Sequence, residues 1–460
     1  MLKRAIYISL LAAGSITSSC TKILEQDPQN YLDASTAFTT ESAVRAGLVG
    51  VYDEFQSTYY TGVALMILPE LEGGNLTETG SYTDYQEIAN VTISTNNTST
   101  TNAWNYIYAG INRANNVISA TNSITDASFT ADEKKAVIAE ASFLRAYMYF
   151  DLLRCYGGDT ISYASASGAG VPIRLTPTTE SSQAVAIARS NAGEVYTQVL
   201  KDLDTAIAGL SINLSSAGRA DLNAAVALKA RVQLYRESFD DAESLATQII
   251  NQFSSSTAYG GLAANYASIF STKNTKPESI WEIQNTATDG TYLGYYYYGR
   301  SEVASNSNLA AAHESGDVRL TVNYNNSVSA TKYRQLKFTH SDYSDNIPLI
   351  RLAEVYLIRA EARARKSTPD LTGALADVNM VRARAGLKAS TATTVDGIVD
   401  AVLNERRVEL AHEGQRFFDL RRLNKAKSAL SISQGYRLLW PVPQSEINAG
   451  AGVVTQNYGY

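Results

Sequence analysis

Apolar residues recur along this chain at helical spacing in several separate stretches. Val137, Ala141, Leu144, Met148 and Leu152 fall on one helix face, as do Tyr196, Val199, Leu203, Ala206 and Leu210. Ala227, Ala230 and Leu234 share a face, and Ala242, Leu245 and Ile249 share another after a break at "ESFDD". Ile350, Ala353, Leu357, Ala360 and Ala364 repeat the pattern, followed by Leu371, Leu375 and Val378, and then by Val399, Leu403 and Leu410. These stripes predict helices in pairs. "AVALKARVQLYRESFDDAESLATQII" (225–250) places alanines where two helices approach closely, with Phe239 and Ala242 across a short turn. That arrangement resembles a tetratricopeptide repeat. The remaining pairs (137–153 with 193–210, 347–366 with 370–385, then 395–424) fit more loosely. The expected fold is mainly α, an irregular tetratricopeptide-like helical-repeat scaffold with a few short strands carried in long insertions.

Three stretches break the pattern: 57–103, 157–182 and 284–346. They are rich in Ser, Thr, Asn, Gly and Tyr and show no period. Long loops of this kind are functional or disordered, and disordered chains are poor in aromatics. Rigid aromatic area beside small polar groups is instead the composition of adaptable binding loops. The helices therefore predict a scaffold and the loops a binding surface. Within the third stretch, "TYLGYYYYGR" holds Tyr292, Tyr295, Tyr296, Tyr297 and Tyr298. No single buried face takes all five. An extended reading would pair Tyr295 with Tyr297 or Tyr296 with Tyr298 on the exposed side. Tyr82, Tyr85 and Asn75 are the candidates in the first stretch.

Composition sharpens this picture. The 460 residues include 29 tyrosines against 11 phenylalanines and 3 tryptophans, and tyrosine suits half-wet surfaces because a flat apolar ring carries a hydroxyl at its rim. "MLKR" followed by the uncharged run "AIYISLLAAGSI" and "TSSC" predicts a secretory signal over residues 1–19. The position of Cys20 resembles a bacterial lipobox, with Thr17 where leucine is usual. A lipidated Cys20 would anchor the mature chain, each buried CH₂ contributing about 0.8 kcal/mol. Cys155 is then the one remaining thiol, which rules out an internal disulfide and predicts a small buried residue near a helix end. Loss of Lys3 and Arg4 with the signal leaves 37 basic against 45 acidic side chains, a balance of −8. With no basic block, nucleic acid is not an expected partner.

Catalytic signatures are missing. His313 and His412 begin "HESGD" and "HEGQR", but Asp317 and Arg416 stand where a zinc-protease motif needs its second histidine. No nucleophile elbow, phosphate loop, dinucleotide fingerprint or CxxC pair occurs. Glycoside hydrolysis needs only two placed carboxylates, and Glu70, Glu72, Glu78, Asp84 and Glu87 are available in the first stretch. The charge-dense "NERRVELAHEGQRFFDLRR" (404–422) spaces Glu405, Glu409 and Glu413 by four among its arginines, which brings opposite charges within reach on a helix and predicts a structural ion-pair network holding the last helices together, with a substrate-binding arginine cluster as the alternative.

Several long motifs occur together in order. "IPLIRLAEVYLIRAEARAR", "ALADVNMVRARAGL", "ERRVELAHEGQRFFDLRR" and "LLWPVPQSEIN" resemble the C-terminal half of SusD/RagB-like lipoproteins of Bacteroidota. "TQNYGY" is similar to that family's ending, with Tyr458 where proline is common. "LEQDPQNYLD", "WNYIYAGINRANNVI" and "EASFLRAYMYFDLLRCYGG" agree with its N-terminal half. The resemblance implies a single domain over 20–460 with no catalytic role and no cofactor. It further implies a lipid-anchored, surface-exposed outer-membrane protein that binds glycan and delivers it to a SusC-like TonB-dependent transporter. A peptide-binding lid of the RagB type is the alternative, and a surface glycoside hydrolase a more distant one. The resemblance also makes Trp104, at the head of a helix motif, a core residue.

Overall fold

The computed structural model describes residues 37–159, 163–213, 216–255, 261–271, 278–325, 333–340 and 342–460. The signal segment and Cys20 lie outside them. The principal helices are α1 (Glu41–Gln56), α2 (Ala64–Glu72), α3 (Thr83–Ala89), α4 (Thr98–Ser123), α5 (Ala131–Tyr156), α6 (Ala192–Gly209), α7 (Leu222–Tyr235) and α8 (Phe239–Ser255), then α9 (Leu352–Arg365), α10 (Leu371–Arg384), α11 (Val395–Glu409) and α12 (Arg416–Arg422). Four short strands, β1 (Leu76–Glu78), β2 (Ser279–Ile283), β3 (Val303–Ser305) and β4 (Ile347–Arg351), form two antiparallel pairs, β1 with β3 and β2 with β4.

Each scaffold helix packs on its neighbour in the chain: α4 on α5, α5 on α6, α6 on α7, α7 on α8, α8 on α9, and α9 on α10 and α11. This nearest-neighbour stacking is the helical-repeat fold expected from the stripes. Local chemistry sets the helix starts. Thr130 with Glu133 and Asn191 with Glu194 form reciprocal capping boxes, and Asp221 accepts from the Ala224 N–H at the head of α7. Gly110 lets α4 approach α5, since a Cβ there would stand 2.4 Å from the Met148 methyl carbon. Arg145 of α5 donates to both carboxylate oxygens of Asp202 on α6, at 2.9 and 2.7 Å, and to Asn115 Oδ1 on α4 at 2.7 Å. Trp281 of β2 is fully buried and meets Phe55, Phe143 and Tyr147 edge-on at 4.8–5.2 Å. Cys155 is buried in the last turn of α5, as expected.

The structure departs from the expected pattern at three places. Ile350 begins a predicted helical stripe but lies in β4, paired with Trp281, so the helix starts only at Leu352. Residues 64–72, inside a stretch read as loop, form a helix buried all round despite Pro69. Uniform burial leaves no polar face, so no period marks it. The acidic ladder of 404–422 does not pair along its own helix. Glu405 meets Arg319 and Arg382, Glu409 meets Arg319, Arg351 and Arg384, and Glu413, beyond the end of α11, meets Arg351 and Lys337. The network is structural and holds separate elements together, as expected, with its pairs running between elements.

Candidate functional site

The β1–β3 pair joins the first polar stretch to the third. Leu76, Thr77 and Glu78 stand opposite Ser305, Ala304 and Val303, and the Thr79 N–H donates to the Glu302 carbonyl at 2.9 Å. This seam places α3, which carries Tyr85 next to its cap Tyr82, beside the tyrosine run. The run itself is neither strand nor α-helix. Tyr295–Gly299 is one π-helical turn, closed by the Arg300 N–H donating to the Tyr295 carbonyl at 2.8 Å. Such wide turns occur often at functional sites, and here the turn fans successive tyrosines in different directions.

The fan replaces the expected alternation. Tyr297 points into the core, stacks on Phe338, meets His412 edge-on at 5.3 Å and donates its hydroxyl to the Met66 carbonyl at 3.2 Å. Tyr298 lies under the Arg334 guanidinium, 5.0 Å from the ring centroid. Tyr295 and Tyr296 remain half-exposed and join a row of rings. Tyr82 and Tyr85 are 5.5 Å apart, Tyr85 and Tyr296 6.5 Å, Tyr296 and Tyr295 6.2 Å, and Tyr295 and Tyr343 6.1 Å, with Tyr292 4.9 Å beyond Tyr343. At the other end Tyr59 and Tyr106 stand 4.8 Å apart. Tyr59, Tyr82, Asp84, Tyr85, Ser99 and Tyr296 line a cleft of about 110 Å³ over Ala64 and Leu68. Tyr59, Tyr82, Tyr106 and Tyr292 are 41, 38, 37 and 49 % exposed and face water, whereas Tyr85, at 8 %, is buried beneath the row and supports it.

Asn75 is not on that surface. It is fully buried, donating to Glu70 at 2.8 Å and accepting from Arg407 at 2.9 Å, so it belongs with Tyr297 to the frame beneath the site. Tyr59, Tyr106 and Tyr343 are the members that the sequence did not single out. Tyr59 sits in "STYYTGV", one of the tyrosine-bearing segments, but Tyr106 falls inside a helix motif and carries no separate signal.

Charge at the cleft is sparse. Asp84 accepts from the Ser99 N–H at 2.9 Å, and Arg300 pairs with Glu302 at the edge of Tyr82. Glu302 holds the Arg300 guanidinium above its usual range. Burial, and then the neighbouring phenols, push the hydroxyl of Tyr85 upward, and burial leads the same shift at Tyr296, so both stay neutral hydrogen-bonding groups. The other loop carboxylates are committed to internal bonds. Glu70 accepts from the Gln415 and Arg416 N–H groups at 3.1 and 3.2 Å, Glu72 from the Trp440 indole at 2.8 Å, and Glu87 from Asn97 at 2.9 Å. Among the described residues no group of three or more His, Cys, Asp or Glu is arranged to hold a metal ion. His412 is buried, and that burial lowers its pKa to about 3, leaving it neutral between Asn323 and Ser305.

A helical-repeat frame that presents neutral aromatic rings on converging loops defines a ligand-binding protein. The SusD family model matches residues 287–438, and a second model, described as starch-binding associating with outer membrane, matches residues 22–234. SusD-like protein P38 of Formosa agariphila is 25 % identical, with 95 % of each chain covered, and a SusD-like protein of Bacteroides ovatus is 24 % identical over 74 % of this chain and 59 % of its own. Among solved structures, a laminarin binding SusD-like protein superposes with a TM-score of 0.76 at 25 % identity, covering 92 % of this chain and all of that one. A SusD superfamily protein of Bacteroides thetaiotaomicron gives 0.77 at 24 %, covering 91 % of this chain and 100 % of its own. The chain is SusD/RagB-like over both matched stretches, residues 22–234 and 287–438.

Proposed function

We propose that this protein is a surface-exposed glycan-binding lipoprotein of the outer membrane, which captures oligosaccharide or polysaccharide and delivers it to a SusC-like TonB-dependent transporter. The observation that carries this reading is the tyrosine row, built from two distant polar stretches and open to water. Its rings offer flat apolar area for the C–H faces of pyranose units, while phenol hydroxyls and Asp84 meet sugar hydroxyls. The family match and the likeness to a laminarin binding SusD-like protein support carbohydrate as the ligand class. In this reading residues 20–460 act as one domain anchored through a lipidated Cys20, the tyrosine-bearing parts of 57–103 and 284–346 face the ligand, and the protein has no catalytic role.

Affinity electrophoresis of the chain from residue 21 onward, in gels containing laminarin, soluble starch, xylan or galactomannan, tests the reading. Retardation in at least one gel, abolished by Tyr82→Ala with Tyr296→Ala at unchanged circular dichroism, is expected. A protein retarded by none of them, but bound by a peptide pool, would instead be a peptide-binding lid.

A further inference from the structure

A second cavity lies around the corner of α4 from the tyrosine row. It measures about 280 Å³, against about 110 Å³ for the tyrosine cleft. Three chain segments meet there: the first half of α4, the connection between α5 and α6, and the C-terminal segment around Glu446. The walls are fixed by side chains of α4, since Asn112 donates to the Thr178 carbonyl at 2.9 Å, Asn115 to the Arg174 carbonyl at 3.0 Å, and Tyr108 to the Pro172 carbonyl at 2.8 Å. The cavity is therefore pre-formed.

Its lining combines apolar surface from Pro172, Val185, Ile187 and Val454 with four polar groups. Trp104 is 2 % exposed, and its indole N–H has no hydrogen-bond partner among the described residues. Arg174 spends one N–H on the Val185 carbonyl at 2.6 Å and forms no ion pair among the described residues. Glu446 stands on the same cavity and is likewise unpaired among them. Asn105 completes the set. An anionic ligand would gain at Arg174 what it loses at Glu446, and a cationic one the reverse. A neutral molecule with many hydroxyls uses the three donors and the carboxylate acceptor together, and its C–H faces meet the apolar wall.

The cavity and the tyrosine row share helix α4. Asn105, exposed on the cavity, is followed by Tyr106, whose ring stands against Tyr59 at the end of the row. We propose that this cavity is a second carbohydrate subsite, occupied by a neutral sugar residue of the same glycan chain that lies along the tyrosine row. The inference rests on the glycan reading of that row. It assigns the protein a preference for chain length, because the second contact is intramolecular once the first is made.

Calorimetry with the chain from residue 21 onward, comparing laminarin and soluble starch with laminaritriose and maltotriose, provides the test. Arg174→Ala combined with Glu446→Gln is expected to weaken polysaccharide binding about tenfold and to leave trisaccharide binding unchanged. Should that variant fail to fold, Val185→Arg fills the cavity from a position that is 61 % exposed and is expected to do the same. Unchanged polysaccharide binding in these variants overturns the second subsite and leaves the tyrosine site standing. Equal losses on both lengths would merge the cavity with the cleft and also overturn it. Binding abolished by the cavity variants but indifferent to Tyr82→Ala with Tyr296→Ala would support the cavity and sink the tyrosine reading. No binding of any of the four glucans, of xylan or of galactomannan, or binding of peptides only, would overturn both.

Discussion

The ring of Tyr85 lies 6.5 Å, centroid to centroid, from that of Tyr296, although the two belong to separate polar stretches and stand 211 positions apart in the chain. The β1–β3 seam makes this possible and the π-helical turn aims it. Tyr296→Ala and Tyr82→Ala are each expected to cost about 1–2 kcal/mol of glycan binding, roughly tenfold in Kd. Tyr298→Ala, which removes a ring from under Arg334 outside the row, is expected to leave Kd unchanged. Calorimetry on the three single variants checks the contrast, and an equal loss in all three would remove the assignment of the row.

Much of the scaffold was legible because burial on one side leaves a period in the sequence. Val137 to Leu152 and Tyr196 to Leu210 became α5 and α6, with the caps Thr130 and Asn191 seven and five residues upstream. Helix α2 was not legible, since residues buried all round leave no polar face to betray a helix. The candidate site was half legible. Composition marked Tyr82, Tyr85, Tyr295 and Tyr296, but alternation predicts faces only for extended chain, and the π turn defeats it by sending Tyr297 inward. Asn75 misled because a short polar residue in a polar stretch reads as exposed, while its partners Glu70 and Arg407 lie far away or behind it. Glu405 and Glu409 announced a structural network but not its partners, because spacing by four reports which charges share a helix face and not which partners other elements bring.

Asp345 organises the far end of the tyrosine row. Its carboxylate accepts from the Thr339 N–H at 3.1 Å, the His340 N–H at 3.0 Å and His340 Nδ1 at 2.5 Å, and its neighbour Tyr343 packs between Tyr292 and Tyr295. Asp345→Ala releases all three donors. The expected result is a several-fold weaker polysaccharide affinity with a loss of about 1–3 kcal/mol in stability, read by calorimetry and urea denaturation. Full retention of both would show that Tyr343 is held by its ring contacts alone.

Arg351 is buried and pairs with Glu278, Glu409 and Glu413, at 2.6, 2.9 and 2.8 Å. It joins the end of β4 to β2's approach and to the turn after α11. Removing one partner of a buried pair leaves uncompensated charge, so Arg351→Ala is expected to cost about 3–5 kcal/mol. Chemical denaturation measures this directly. A loss below about 1 kcal/mol, the range of exposed pairs, would mean that the carboxylates find other partners or take up protons.

Glu72 gives the clearest pH dependence. Its side chain is buried, one oxygen accepts from the Trp440 indole at 2.8 Å, and the other has no hydrogen-bond partner among the described residues. Burial raises its pKa to about 8. The folded protein therefore holds a proton on Glu72 that the unfolded chain, with an ordinary carboxyl near 4.5, releases over the interval between these values. Stability follows the excess of protons bound by the unfolded state. Here the excess belongs to the folded state, so this group's contribution falls as pH rises from about 4.5 to 8 and is flat beyond. Glu72→Gln keeps the acceptor for Trp440 and removes the titration. The variant is expected to match the parent near pH 4.5 and to exceed it by on the order of 2 kcal/mol at pH 8.5, seen as a difference in melting temperature that grows with pH. A difference that stays constant across that range would place the Glu72 carboxyl at its ordinary pKa and would mean that water reaches the space beside Trp440.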